Sequence, residues 1–360
     1  MAAEHTGATL LAQVKEESLL DILQALRESH LLSPKLPLVG IPRLDTALAA
    51  LRSNEHNPRQ PVLEITSPAS GDGKTALLYY ATAQAVLPAW LENDVIVGGH
   101  DAAVIWLDTD ARFDAHRLRC VMANIVRQRA LQESDNYTEA VNESLRHVHV
   151  FQPLSSPALL ATLESIPEYL FSTQHYSRYR PLHAIVIDSA SAFYWQDWRK
   201  AEVSRIPGAV DEEGHALGAT SSRRSTNMPA DIVSVLRDLQ NKFSCLILYS
   251  TAGLYPCGSS LSPLTSFRPY LPYPWITLPA LRVVVRREPV RPFVDGMTVD
   301  EARADGLVRQ AVVQRGVFSG WIDPSSLPTY MQGAAATQPF SFKISNEGIF
   351  FDGMTILPQV

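Results

Sequence analysis

The sequence predicts an α/β fold in which a mostly parallel central sheet is flanked by helices. Residues 62–75, VLEITSPASGDGKT, run as a buried strand into a glycine-rich turn, and ALLYYATAQAVL continues as a helix. Further on, AAVIWLDTD and HAIVIDSASAFYW are apolar runs ending in Asp108, Thr109 and Asp110 and in Asp188 and Ser189. Continuous Val/Ile/Leu runs suit strands covered on both faces, and helical patterns alternate with them through about residue 190. Acids at the carboxyl ends of such strands point into the crevice where ligands bind.

Each segment follows in order. Residues 8–31 carry apolar positions at helical spacing, including Leu19, Leu20, Ile22, Leu23, Leu26 and Leu31, until SPKLP breaks the pattern. Residues 1–37 are therefore expected as a helical arm, either packed on its own domain or reaching a partner, and residues 38–360 as the core domain. VGIPRLDTALAAL gives a turn and a helix, and SNEHNPRQP is a polar loop before the first strand. Periodicity is lost over residues 199–228, a loop rich in glycine, serine and mixed charge that is either disordered or functional. DIVSVLRDLQNKF resumes as an amphipathic helix and SCLILYSTAG as a core strand. A second irregular stretch, about 256–276, holds prolines and aromatics that exclude a regular helix through much of it. RVVVRREPVRP is expected as an edge strand, its Arg282, Arg286, Arg287 and Arg291 either solvated or touching phosphate, and FSFKISNEGIFF as a hairpin turning at Asn346, Glu347 and Gly348.

Composition narrows the class. With 360 residues, 46% hydrophobic and 19% charged, the chain can bury one large α/β core with a small appendage. A formal charge of −6 argues against gripping nucleic acid through overall field alone. Cys120, Cys245 and Cys257 show no metal-type spacing and leave an odd count for disulfides, which points to a reducing compartment. No basic start with an apolar core opens the chain, and no run of 18 apolar residues occurs, so a soluble intracellular protein without membrane contact is expected.

The chemistry sits in the glycine loop. Ser70, Gly71, Asp72, Gly73, Lys74 and Thr75 form a phosphate cradle: glycines let backbone N–H groups face an anion, a lysine reaches the outer phosphates, and a hydroxyl meets Mg²⁺. ATP or ADP with Mg²⁺ is the expected ligand, and Asp188 at its strand end is the expected second Mg²⁺ partner of Thr75. The pattern G-x-x-x-x-G-K-[ST] is met only in part, because Pro68 stands at its first glycine.

The order of these pieces resembles the RecA-like recombinase family of P-loop NTPases. VGIPRLDTALAAL is similar to that family's T-G-x-x-x-L-D-x-L-L through Gly40, Leu44, Asp45 and Leu48, and WLDTDARFDAHRL stands where the family has IDTE-x-x-F-R-x-x-R-L. The Mg²⁺ strand, two irregular regions at the places of the DNA-binding loops and an F-x-I-x-x-x-G hairpin follow, so the likeness spans about residues 38–351. DTDARFDAHRL, IDSASAFYW and FRPYLPYPW look like one eukaryotic branch of recombinase paralogues.

The resemblance implies a nuclear, non-recombinase subunit of a heteromeric complex of RecA-like paralogues. Such a complex promotes recombination repair of double-strand breaks and protects replication forks. It acts on the main recombinase filament indirectly and meets single-stranded or branched DNA through its assembly. The members stack head to tail, with this branch at an end of the row. The alternative is a DNA-stimulated ATPase with its own remodelling activity. The family's water-orienting glutamate is replaced by Asp110, and its γ-phosphate-sensing amide falls at Ala252 and Gly253, so weak or no hydrolysis is expected. Arg117 matches the family's adenine-side arginine and is otherwise a surface charge on its helix; Arg268 and Tyr270 are candidates for nucleic-acid contact, or they pack their loop down.

Overall fold

The computed structural model describes residues 18–19, 37–53, 60–91, 95–130, 135–172, 174–204, 206, 227–257, 266–328, 331 and 338–351. Nearly all of the expected arm, most of the 199–228 loop and residues 258–265 lie outside them.

Helix α1 (Pro42–Ser53) follows a turn at Gly40, whose φ is +75°. A Cβ there would stand 2.3 Å from Gln84 Cγ, so both the backbone conformation and the close approach require glycine. Asp45 Oδ1 accepts the Val39 N–H at 2.8 Å and ties the turn to the helix. Burial pushes the Asp45 carboxyl up to about 6 despite that bond. β1 (Val62–Ser67) is buried at every residue and leads through the glycine loop into α2 (Lys74–Val86). A two-residue pair, β2 (Trp90–Leu91) and β3 (Val95–Ile96), precedes β4 (Ala103–Asp108).

Next come α3 (Ala115–Arg129), α4 (Asp135–Leu145), β5 (Val148–Phe151), α5 (Ser156–Phe171), β6 (Leu182–Asp188), α6 (Tyr194–Ser204) and α7 (Met228–Phe243). Asp114 caps α3 by accepting the Arg117 N–H, and Ser155 caps α5 by accepting that of Ala158. β7 (Leu246–Cys257) pairs beyond the main sheet with β8 (Ser266–Pro269). The chain then forms β9 (Leu281–Arg287), α8 (Val299–Arg315), β10 (Val317–Ile322), β11 (Phe340–Ile344) and β12 (Ile349–Phe351).

The sheet order is β12-β11-β10-β9-β1-β7-β6-β4-β5. Its pairs from β9 to β5 are all parallel, and β10, β11 and β12 extend it antiparallel. The expected α/β fold with a mostly parallel sheet is therefore present, and so is the C-terminal hairpin. Along β4, Val104 and Trp106 face one core with α2 and α3, while Ile105 and Leu107 face the other with α5 and α7. Burial on both faces explains why this strand reads as unbroken apolar sequence. The outer strand β5 is backed by polar packing: the Ser177 hydroxyl meets His147 Nδ1 at 2.6 Å and His149 Nε2 at 2.7 Å. Burial holds both imidazoles at about 4, so they are neutral at pH 7.

Three expectations need correction. The stretch 256–276 is not wholly irregular, since β8 lies within it. α8 and β10 add a helix and a strand to what the sequence predicts. β9 is no edge strand, because β1 flanks it on one side and β10, arriving after the α8 excursion, on the other. Its Arg282 is consequently buried: Nε donates to Glu64 Oε2 at 2.9 Å, and Nη1 lies 3.7 Å from Asp323 Oδ2. Thr251 donates to Glu64 Oε1 at 2.8 Å, and Ser266 to Asp323 Oδ1 at 2.5 Å. A four-strand ionic network thus joins the phosphate-loop strand to β8.

Arg282→Met should lower stability by about 3–5 kcal/mol, because it leaves the Glu64 and Asp323 carboxylates buried without their cation. Chemical denaturation checks this, and adding Glu64→Leu should recover much of the loss.

Candidate nucleotide site

The phosphate loop owes its shape to glycine and to one aspartate. Gly71 and Gly73 take φ of +81° and +94°, open to glycine at no steric cost. A Cβ on Gly73 would press within 3.2 Å of Ile344 Cδ1 and Phe318 Cδ1, so the loop lies tightly against β10 and β11. Asp72 is buried, with Oδ2 accepting the Ala69 N–H at 3.0 Å and Oδ1 accepting the Arg287 N–H at 3.2 Å. It closes the loop on itself and fastens it to the end of β9. Asp72, expected as a ligand contact, lines the cavity while its oxygens accept these two N–H groups.

No side chain caps the start of α2, which leaves its first N–H groups facing the cavity as a natural anion site. Lys74 Nζ donates to Ser67 Oγ at 2.5 Å and to Ala69 O at 3.3 Å, folded back over the loop. Burial lowers its pKa, opposed by the nearby carboxylates of Asp72, Asp188 and Asp110.

Asp188 joins three elements. Its Oδ2 accepts from Thr75 Oγ1 at 2.8 Å, and its Oδ1 from Ser250 Oγ at 2.5 Å. Burial raises the Asp188 pKa, and the two hydroxyl bonds hold it down. The neighbouring strand end is locked in register, with the Thr109 N–H donating to Asp188 O and the Ser189 N–H to Thr109 Oγ1. Asp108, by contrast, spends its carboxylate on the Arg112 and Phe113 N–H groups and on Gln152, and so shapes the turn after β4.

A cavity of about 780 Å³ opens over the loop. Every predicted loop residue from Ser70 to Thr75 lines it, together with Asp110 and Asp188. Ala252 and Gly253 line it as well, where the pairing of β7 with β1 ends. A Cβ on Gly253 would stand 2.7 Å from Phe267 Cβ, so β8 leaves no room for a longer side chain at that position.

Two arginines reach the cavity, Arg112 from the turn after β4 and Arg287 from β9. The sequence offered Arg287 only as one of several strand arginines, and Arg112 carried no motif signal. Arg117 does not line the cavity; its Nη1 donates to Asn346 O at 2.9 Å and ties α3 to the hairpin turn. Tyr270 lines the rim, and its ring lies 5.5 Å from those of both Tyr194 and Trp195. Arg268 is exposed on β8.

Such a site can hold a polyphosphate at the helix N-terminus and a hard cation between a hydroxyl and a carboxylate.

Two known DNA repair proteins are similar to the chain in sequence. No model of a protein family matches the chain. It is 28% identical over 227 residues to the mouse (Mus musculus) DNA repair protein XRCC2, a stretch covering 61% of this chain and 69% of the relative. It is 29% identical over 181 residues to the mouse DNA repair protein RAD51 homolog 2, covering 50% of this chain and 45% of the relative. With the phosphate loop, the parallel strand order and the Thr75–Asp188 pair in place, the chain is a homologue of the RecA-like recombinase paralogues.

Proposed function

We propose that this protein serves DNA repair by homologous recombination as a nuclear, non-recombinase subunit of a complex of RecA-like paralogues, and that it holds nucleotide mainly as structure. The names of its relatives support the repair role. The observation that carries the nucleotide reading is the asymmetry of the cavity. Lys74, Thr75 and Asp188 line the cavity where phosphate and Mg²⁺ would sit, while the positions matched to the family's hydrolytic residues hold Asp110 and the amide-free Ala252 and Gly253. Binding groups are present and hydrolytic groups are short.

In this reading ATP or ADP lies on the N–H groups of Gly71, Gly73 and Lys74, with Arg112 and Arg287 available for further charge. Thr75 and Asp188 would hold Mg²⁺, which neutralises phosphate charge when bound. Among the described residues no group of three or more His, Cys, Asp or Glu could hold a metal ion. Asp110 is one methylene shorter than the glutamate that orients water in recombinases, and a misplacement of about 1 Å can cost about a hundredfold in rate.

DNA contact is proposed at Tyr270 on the rim, whose ring meets Trp195, which in turn meets Trp198, both more than half exposed, and at the exposed Arg268 two residues before it. Aromatic faces with an adjacent cation suit unpaired bases. Among the described residues no helix is long and apolar enough to cross a membrane.

The protein purified from its own cells should bring down other RecA-like paralogues in stoichiometric amounts, seen by mass spectrometry, and Lys74→Ala should leave that recovery intact. Recovery of the protein alone, or loss of repair with the lysine change, favours the DNA-stimulated ATPase instead. Steady-state ATP hydrolysis should be near background with or without DNA, and Asp110→Glu should raise it only if the rest of the site is competent. Arg268→Glu should cut ultraviolet crosslinking to single-stranded DNA several-fold with the circular dichroism spectrum unchanged; an unaltered yield removes the contact.

A further inference from the structure

The cavity over the phosphate loop has two unlike ends. Phe318 and Ile344 line it from β10 and β11, whereas Asp188 lines it from the end of β6, and Asp110 and Arg112 from the turn after β4. In the sheet, β10 and β11 stand on one side of β1, which carries the loop, and β6 and β4 stand on the other. An apolar wall suits a base, and the charged end suits the outer phosphates. Lys74, the residue that reaches outer phosphates in such loops, feels the carboxylates of Asp188 and Asp110 and so marks the same end.

Three cations line the cavity among the described residues, and two of them are engaged within the protein. Lys74 bonds Ser67 and Ala69, and Arg287 Nη2 donates to Val313 O at 2.7 Å. The third, Arg112, is exposed, and among the described residues its guanidinium makes no hydrogen bond or ion pair. Its backbone is nonetheless fixed. Asp108 Oδ1 accepts the Arg112 N–H at 3.0 Å and Oδ2 that of Phe113 at 2.9 Å, and Ala111 just before them takes φ of +53°. A left-handed alanine is unfavourable by itself and persists where the surrounding structure imposes it. The imposed turn brings Asp110 and Arg112, two residues apart, to the same cavity.

Resting on the reading of this cavity as a nucleotide site, we infer that Arg112 sets its specificity: the guanidinium bonds the terminal phosphate of a nucleoside triphosphate and so distinguishes it from a diphosphate. A cation held at the outer end of an anion site with no protein counter-charge is prepared for the ligand's charge. Its planar fork can meet two phosphate oxygens at once. It supplies a donor for the outermost phosphate where Ala252 and Gly253 carry no side-chain amide. Arg287, on the β9 side and bonded to Val313 O, does not share this role.

Isothermal titration calorimetry on the full chain with Mg²⁺ present measures ADP and the non-hydrolysable imido analogue of ATP separately. The natural protein should bind the triphosphate analogue about tenfold more tightly than ADP. Arg112→Ala should remove that preference and leave ADP affinity within about twofold of its starting value. Arg303→Ala, which removes an exposed charge outside the cavity lining, should change neither affinity. The unliganded Arg112→Ala protein should melt at the same temperature as the natural one, because the guanidinium bonds nothing in the fold. No triphosphate preference in the natural protein, a preference that survives Arg112→Ala, an equal loss for both nucleotides, or a lowered melting temperature of the unliganded variant overturns the inference and leaves the cavity a nucleotide site. Binding of neither nucleotide by the natural protein removes the nucleotide reading itself, and the inference with it.

Discussion

The site is organised around one buried carboxylate. Asp188 receives a hydroxyl from the first turn of α2 through Thr75 and another from β7 through Ser250, so it fixes the phosphate loop against two strand ends at once. A carboxylate withdrawn from water needs such donors, and each bond to a charged group is worth about 1.5–3 kcal/mol. The same two oxygens that hold the elements together stand where a divalent cation would be shared with phosphate. Architecture and ligand site therefore rest on the same atoms.

A second acid does for the outer wall what Asp188 does for the inner one. Asp72 turns the loop back on Ala69 and clasps Arg287, while Gly73 lets Phe318 and Ile344 close in. The C-terminal strands thereby become part of the cavity rather than an appendage. Arg117, bonded to Asn346, fastens the same hairpin from the opposite direction. Below the loop, the Glu64–Arg282–Asp323 network carries the rigidity across β1, β9 and β10 and reaches β8 through Ser266. The rim aromatic Tyr270 follows β8 directly, so the proposed DNA edge stands on the same buried charges as the nucleotide floor.

The reading as a binding rather than a hydrolytic site rests on packing as well as on residue type. At Gly253 the backbone is pressed against Phe267, so that position has no space for a longer side chain. A single substitution there would not recover a sensor without moving β8.

By itself the sequence determined the parallel core, the loop and its lysine, the two strand-end acids and the hairpin. All of these are local: unbroken apolar runs arise from burial on both faces, and glycines mark backbone that other residues cannot follow. Only the tertiary structure decided what depends on partners distant in the chain. Arg282 reads as a solvated edge charge until β10, arriving after a helical excursion, covers its strand and sets it against Glu64. Asp72 reads only as part of the ligand loop, and the fold alone sets one of its oxygens against the Arg287 N–H. Arg117 and Arg112 lie five residues apart in one acidic and basic stretch, yet only the second faces the cavity, because the turn held by Asp108 aims it there. Charge on a side chain is visible in sequence, but the dielectric and the counter-charge it meets are properties of the folded neighbourhood.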